Sequence, residues 1–493
     1  MTCRILNPDG TRYWDWAVWR GPEGQALIPY DWSDYSNVYI TGGFIVAQRY
    51  VFEQVLWDDT KGFYEQEDID FSERLKRFGY RIQMNVHSSV VHHGPYTQQG
   101  DYVIRKREEL PILGEGEKMR VLWYSVPPWN NTGYGVQTRQ YVQGLMDMGH
   151  EVRILPFTQL KGAPNIEWEG FKLMATGNYE AGLDALLYYT EAWRPHVVVS
   201  LLDVWPLPDD LGLQIKMAGG RWCPITPVDT FPLSPELTKR LAFAHLPIAM
   251  SQHGYRMMKE AKLEPAYVPH GVDQSIFHPG VEPAFTQERF VVGMVAANVG
   301  SFDRKGFQQA LESFARLDPE DYYFYIHTDP LEFKNSVHIS SLAKELGVEL
   351  HFPDVWQYYQ GFSPQFMAKL FKAFDVLLMG SRGEGFGIPL IEAQSVGTPV
   401  IATKFSSMAE LAMPAGRVVQ PRGNIWTPVD AWMAEPDPTR MASAIEQMRY
   451  LKTQKYAWED IADRAIKFSH AYDVDVVNHA FLEPTLLRAA RTP

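Results

Sequence analysis

The sequence predicts an α/β chain: two Rossmann-like domains built on parallel sheets, preceded by a small α+β segment. Three observations carry this reading. From Met119 onward, strand-like apolar runs alternate with glycine turns and amphipathic helices, the pattern of a parallel sheet with helical crossovers. The alternation pauses at a Pro-rich joint, FHPGVEPAF (277–285), and then restarts. Residues 1–95 depart from it, with more Trp, Tyr and Asp and less βα alternation.

In the first parallel-sheet domain, 118–280, MRVLWYSV (119–126) reads as a buried strand and WNNTGYG (129–135) as its loop. VQTRQYVQGLMDMG (136–149) reads as an amphipathic helix and HEVRILPF (150–157) as the next strand, completing a βαβ unit. Further strands are predicted at 196–204, 222–229, 246–251 and 266–273. In the second domain, 281–455, strands are predicted at 289–298, 322–329, 373–381 and 398–403, with a helix over 306–317. The segment 96–117 is polar, charged and punctuated by Gly and Pro, and reads as a linker. Residues 456–493 close the chain, with 456–487 reading as helix. Two α/β domains joined by a short linker leave a cleft, and ligands favour the strand C-terminal ends that face it.

At 493 residues the chain is long enough for about three domains. Lys+Arg number 46 against Asp+Glu 59, a net charge of −13, which argues against nucleic acid as a partner. A neutral or small-molecule ligand is the default; peripheral membrane contact stays open. Cys3 and Cys223 are too few for a disulfide framework or a thiolate zinc site, so a reducing, cytoplasmic compartment fits. MTCRILNPDG has neither the basic nor the apolar stretch of a secretory signal, and no window is apolar enough for a spanning helix. The 15 Trp and 25 Tyr suit sugar faces, but most should be core.

The most informative stretch is GEGFGIPLIEA (383–393). With a strand ending near Ser381, Glu384 lies in the turn, and Gly385 and Gly387 let backbone N–H groups approach a ligand closely. A helix over 388–396 then presents its positive end to that ligand. Pro389 is tolerated there because the first turn has no N–H partner to lose. Glu392 falls about one turn inside, on the face looking back to the loop. Both carboxylates can reach one ligand while the amides between them hold an anion, which matches the hydroxyls and diphosphate of a nucleotide-sugar.

On these residues the sequence resembles the retaining GT-B glycosyltransferases of the family 4 type, whose E-x7-E motif reads here as Glu384 to Glu392. The resemblance runs from about Met119 to the C-terminus. It implies that Glu384 and the amides of Phe386 and Gly387, followed by Ile388, lie at the donor sugar, and that Glu392 binds the ribose hydroxyls. In FDRKGF (302–307), Arg304 and Lys305 stand between a strand and a helix, where cations can neutralise a departing diphosphate. Family members often space this arginine and lysine several residues apart; here they are adjacent, with Asn298 and Gly300 upstream, which leaves open which cation touches phosphate.

NNTGYG (130–135) resembles the family's glycine-rich segment on the acceptor side, with Gly133 and Gly135 permitting close approach. Asp229 in PVDTFPL and Asp203 in SLLDVWP can each hydrogen-bond a sugar hydroxyl or polarise the reacting centre; Asp229 is preferred. SQHGYRMMKEA (251–261) and VPHGVDQSIFHP (268–279) resemble the close of the first domain, with His270 read as structural and the role of His253 open. In relatives a terminal helix like 456–487 crosses back onto the first domain.

TGGFIVAQRYVFEQV (41–55), GFYEQEDIDFSERLKRFGYRI (62–82) and SSVVHH (88–93) resemble the acceptor-side half of family 2 type GT-A glycosyltransferases. There an acidic pair at the position of Glu67–Asp68 is the general base, and a histidine at that of His92 or His93 can join a metal. The nucleotide-binding half expected before this pattern is missing. The segment is then a relic used for packing or acceptor contact, or the chain is part of a longer protein.

The function these readings imply is transfer of a sugar from a UDP-, GDP- or ADP-sugar to a hydroxyl of a glycan, polysaccharide or glycoconjugate, with retention and without a metal at the GT-B site. An epimerase or hydrolase on the same fold, a non-catalytic sugar-binding or scaffolding protein, and a fragment of a bifunctional GT-A/GT-B enzyme are the alternatives.

Overall fold

The computed structural model describes residues 2–6, 15–19, 25–27, 38–40, 45–55, 67–91, 111–157, 160, 164–176, 180–331, 336–413 and 415–492. The chain divides into two compact units, Met1–Leu110 and Pro111–Pro493.

In the first unit, Trp16–Trp19 pairs antiparallel with Gln25–Leu27 on one side and Val38–Ile40 on the other. Thr2–Leu6 runs parallel to Met84–Val91. The helix Glu67–Arg77 buries Phe71 and Leu75 with Val38, Ile40, Val51, Val55 and Ile82. Ser72 ties that helix to the sheet, its hydroxyl accepting from the Ile40 amide at 2.9 Å. In the acidic segment, Asp68 accepts from the Ile69 amide at 2.8 Å and Asp70 pairs with Arg74 at 2.7 Å. The Glu67 side chain, His92 and His93 lie outside the described residues.

The second unit holds two mainly parallel sheets and a separate antiparallel hairpin. The first has eight strands, in the order Ala266–Tyr267, Ile248–Ala249, Trp222–Thr226, Val197–Leu201, Arg120–Ser125, Glu151–Pro156, Phe171–Leu173 and Ile166–Trp168. Its central strands are buried on both faces, which explains their continuous apolar runs, VVVSL being buried throughout. The helix Gly133–Asp147 packs on this sheet through Tyr141, Val142 and Leu145. Thr132 caps it, accepting from the Gly135 amide, and Gly149 ends it at φ +86°. Much of the aromatic content is consumed here: Trp123 and Trp222 are fully buried, their indole N–H groups donating to Thr138 and Ser200. Cys223 is buried in this core, and Cys3 in the first unit; neither forms a disulfide.

The second sheet runs Tyr322–His327, Phe290–Val295, Val376–Met379, Val400–Thr403, Arg417–Val419, all parallel. In each sheet the strand order reverses beside the first strand, between Arg120–Ser125 and Val197–Leu201 and between Phe290–Val295 and Val376–Met379. Those two switch points are where ligand crevices form.

Two expectations need correcting. The run 266–273 pairs in the sheet only through Ala266–Tyr267; the rest leaves it, and Val272 exchanges backbone hydrogen bonds with the terminal segment, its N–H to Tyr472 at 2.8 Å and its C=O from Val474 at 3.1 Å. The terminal segment is not one helix. It is broken into Lys455–Ser469, a short 3-10 turn, Val474–Val477, a π turn and Glu483–Arg491. These pieces return to the first lobe, where Glu483 meets His150 at 2.9 Å and Thr492 accepts from Arg221 at 2.7 Å. The helix Leu183–Trp193 and the hairpins Ile166–Trp168/Phe171–Leu173 and Gly423–Trp426/Trp432–Glu435 were not anticipated.

Candidate active site

A cavity of about 1980 Å³ opens between the two lobes of the second unit. Gly133, Asp203, Asp229, Arg304, Lys305, Glu384 and Glu392 all reach it, as do Gly385, Phe386, Gly387 and Ile388.

The second-lobe wall is built on the loop after Val376–Met379. Gly387 takes φ +101° and caps the helix Ile388–Ser395; Pro389 has no N–H and Leu390 donates to the Gly387 carbonyl at 2.9 Å, so the amides left for a ligand at this mouth are those of Phe386, Gly387 and Ile388, all cavity-lining residues. Phe386 contributes through its backbone, because its ring is buried against His270 at 5.2 Å and Tyr472 at 5.8 Å. The loop is pinned from behind: the Ser407 hydroxyl donates to the carbonyls of Glu384 and Phe386 at 2.8 and 2.6 Å, and the Glu384 amide donates to Ser406 at 3.0 Å. A Cβ on Gly385 would sit 2.3 Å from Pro227 Cβ, so only glycine allows this loop to touch the first lobe.

Glu384 is the centre of a charge network. Lys305 Nζ donates to Oε1 at 2.6 Å, Ser381 Oγ to the same oxygen at 2.7 Å, and Arg304 to Oε2 at 3.1 Å. Arg304 also donates to the Gly383 carbonyl at 2.7 Å and lies 3.6 Å from Asp229 across the cleft. Burial alone would raise the Glu384 carboxyl; Lys305 and Arg304 outweigh it and hold it at about 2. Burial lowers Lys305, and Glu384 opposes that loss. The ammonium is the form the geometry favours, since a neutral amine would leave the ionised carboxylate with Arg304 as its sole cation.

Glu392 is the opposite case. It faces the cavity with no ion pair or hydrogen bond from the described residues, and burial pushes its carboxyl up to about 8. An acid in that condition suits a ligand hydroxyl.

The first-lobe wall comes from the loops after Arg120–Ser125, Val197–Leu201 and Trp222–Thr226. Gly133 approaches the helix mouth, its added Cβ falling 3.5 Å from Ile388 Cδ1. Gly135 does not line the cavity: its amide is committed to Thr132 at 3.2 Å and a Cβ there would meet the Asn130 carbonyl at 2.1 Å, so its role is to shape the turn. Asp203 hydrogen-bonds the Tyr134 hydroxyl. Burial raises both Asp203 and Asp229; Asp229 adds to the rise at Asp203, while Arg304 opposes it at each. His270 is buried, driven down to about 3 by that burial, and bonded to Tyr141 at 2.9 Å, yet its ring also touches the cavity. His253 stands behind the cavity wall rather than in it, its ring donating to the carbonyl of the lining residue Thr230 at 2.8 Å.

Asn298 is turned away, its carboxamide holding Ser336 and Val337. Sequence reading missed the three serines and the Tyr134–Asp203 pair. Only Ser381, immediately before the motif, carried a signal that could have found it.

Comparisons with known proteins follow the same residues. Residues 292–449 match the family model described as glycosyl transferases group 1. The chain is 23% identical over 265 residues to an MMP alpha-(1->4)-mannosyltransferase of Mycolicibacterium hassiacum, covering 51% of this chain and 61% of that protein. It is 26% identical over 213 residues to a D-inositol 3-phosphate glycosyltransferase of Corynebacterium urealyticum, covering 41% and 50%. The chain thus spans about half to three fifths of the length of these curated relatives. Among solved structures it superposes on a sucrose-phosphate synthase from Thermosynechococcus elongatus with a TM-score of 0.60 at 17% identity, over 75% of this chain and 98% of that one. Anabaena HepE in complex with UDP and glucose gives 0.55 at 16%, over 75% and 99%. No helix among the described residues is long and apolar enough to cross a membrane. The two-lobed unit therefore has the GT-B fold, and its second lobe carries the match to the glycosyl transferases group 1 model.

Proposed function

We propose that the chain transfers a sugar from a nucleotide diphosphate-sugar to a hydroxyl of a glycan, polysaccharide or glycoconjugate, with retention in the manner of family 4 enzymes, in a cytoplasmic setting. The carrying observation is that one helix mouth gathers free amides, two cations and two acids of opposite character: Glu384 held ionised by Lys305 and Arg304, and Glu392 unpaired in the same cavity. Support also comes from the names of the relatives, which are glycosyltransferases.

In this reading the Glu392 side chain meets the ribose hydroxyls. The amides at Phe386 and Gly387, with Ile388 behind them, meet the diphosphate and donor sugar, and Glu384 orients that sugar while anchoring both cations. As the glycosidic C–O bond breaks, the electron pair leaves on the diphosphate oxygen. Lys305 and Arg304 neutralise that growing charge, and the sugar becomes oxocarbenium-like. The acceptor hydroxyl attacks the same face that the leaving group departs from, its proton passing to the diphosphate. Asp229 is placed beside the reacting carbon, tied to Arg304 at 3.6 Å. The cations do what a metal would otherwise do, so transfer should persist in EDTA.

Kinetics of two variants test this. Glu392→Ala should raise the donor KM by about tenfold, the loss of hydrogen bonds to a hydroxyl pair. Lys305→Ala should lower kcat by about 10²–10³ with a smaller change in donor affinity. Unchanged kinetics in both variants would remove the assignment. Residues 1–95 are read as an acceptor-side GT-A remnant or as part of a longer bifunctional protein.

A further inference from the structure

The first-lobe wall of the cavity says what kind of acceptor can enter. Acids outnumber cations in its ionisable lining, Asp147, Asp203, Asp229, Asp473 and Asp475 among them. The cations there, Arg139 and Arg240, are already engaged. Arg139 pairs with Glu169 at 2.6 Å and lies over the Trp168 ring, and Arg240 is held by Asp209 at 2.9 Å and by Glu236. The wall is also aromatic. Trp129 and Trp168 meet edge to face with centroids 5.5 Å apart, and Trp205, two residues after Asp203, stands 64% exposed on the cavity rim.

We infer that the acceptor is an uncharged saccharide whose ring packs on Trp205, and that acceptors bearing phosphate or carboxylate near the reacting hydroxyl are rejected. This rests on the proposed transferase reading and adds the acceptor's chemical class to it. A phosphate brought to this wall meets a surplus of carboxylates, and every cation it could use there must first give up a carboxylate it already holds. Like charges set face to face select against the charged ligand. A neutral pyranose has no such conflict: its hydroxyls donate to the acids, and its C–H face covers an indole. The second-lobe cations do not alter this, because the donor diphosphate occupies them.

The test is binding of the full chain, preloaded with nucleoside diphosphate, to an array of neutral oligosaccharides and of their phosphorylated and uronic-acid counterparts. Neutral glycans should be retained at least about tenfold more tightly than matched acidic ones. Trp205→Ala should weaken neutral-glycan binding about tenfold, with nucleoside diphosphate affinity and melting temperature unchanged. Asp475→Lys should narrow the gap between neutral and phosphorylated glycans. Preference for phosphorylated or acidic glycans overturns the inference, as does failure of a nucleotide-binding protein to retain any neutral glycan. Absence of nucleotide binding would strike the transferase reading instead, and calorimetry with UDP, GDP and ADP, run first, separates the two failures.

Discussion

Both lobes of 111–493 reverse their strand order beside the first strand, and both send the loops from that point into one cavity. The second lobe fills this position with glycines, a helix mouth and two cations; the first fills it with acids and indoles. One architecture thus serves two chemistries. The topology says where a ligand sits, and the residues at the switch point say which ligand it is.

The sharpest way to break that division is to remove the carboxylate that organises the cationic wall. Glu384→Ala leaves Lys305 and Arg304 without their shared partner. Transfer should fall by about 10³ or more, and stability by roughly 2 kcal/mol after allowing for the exposure of Arg304. Activity near that of the parent, with an unchanged melting curve, would mean the network is incidental. Asp229→Asn probes the opposite wall. It should reduce kcat by about tenfold while leaving donor KM within about twofold, because the first lobe is assigned to the acceptor. A matching loss of donor affinity would erase the distinction between the walls.

The smallest effect concerns pH. Glu392 has a folded-state pKa raised to about 8. Between the ordinary carboxylate range and that value, the folded protein holds a proton the unfolded chain has released. Its contribution to stability therefore declines as pH rises through this window. Glu384 behaves inversely: held at about 2, its stabilisation is present above the ordinary range and is lost as pH falls below it. Melting Glu392→Gln at pH 5 and pH 8 should show the variant gaining roughly 1 kcal/mol relative to the parent at the higher pH, the full shift being discounted because the carboxyl faces an open cavity. Parallel shifts at both pH values would mean Glu392 is not buried as described.

Much of this was legible in order along the chain. The E-x7-E stretch, the adjacent Arg304 and Lys305, and the strands around them are local patterns, and periodicity reads local patterns well. What escaped notice depends on residues far apart in sequence. Arg382 and Glu435 form a buried pair across 53 positions, and Ser406 and Ser407 reach back 21 to 23 positions to pin the motif loop. The Tyr134–Asp203 contact likewise joins two separate loops. Gly135 misled because a turn glycine and a ligand-contact glycine look alike in sequence; only the carbonyl of Asn130 tells them apart. The strand at 266–273 was overextended because Val268 and Val272 are buried, one under the sheet and the other under the returning terminal segment.

Gly385 sets how closely the two lobes can approach. Because its α-carbon rests where a methyl group would strike Pro227, the two lobes meet here only as closely as a missing side chain permits. Any larger residue there would act as a wedge between the lobes, and under the proposed reading it would spare donor loading while holding the second sugar out of bonding reach.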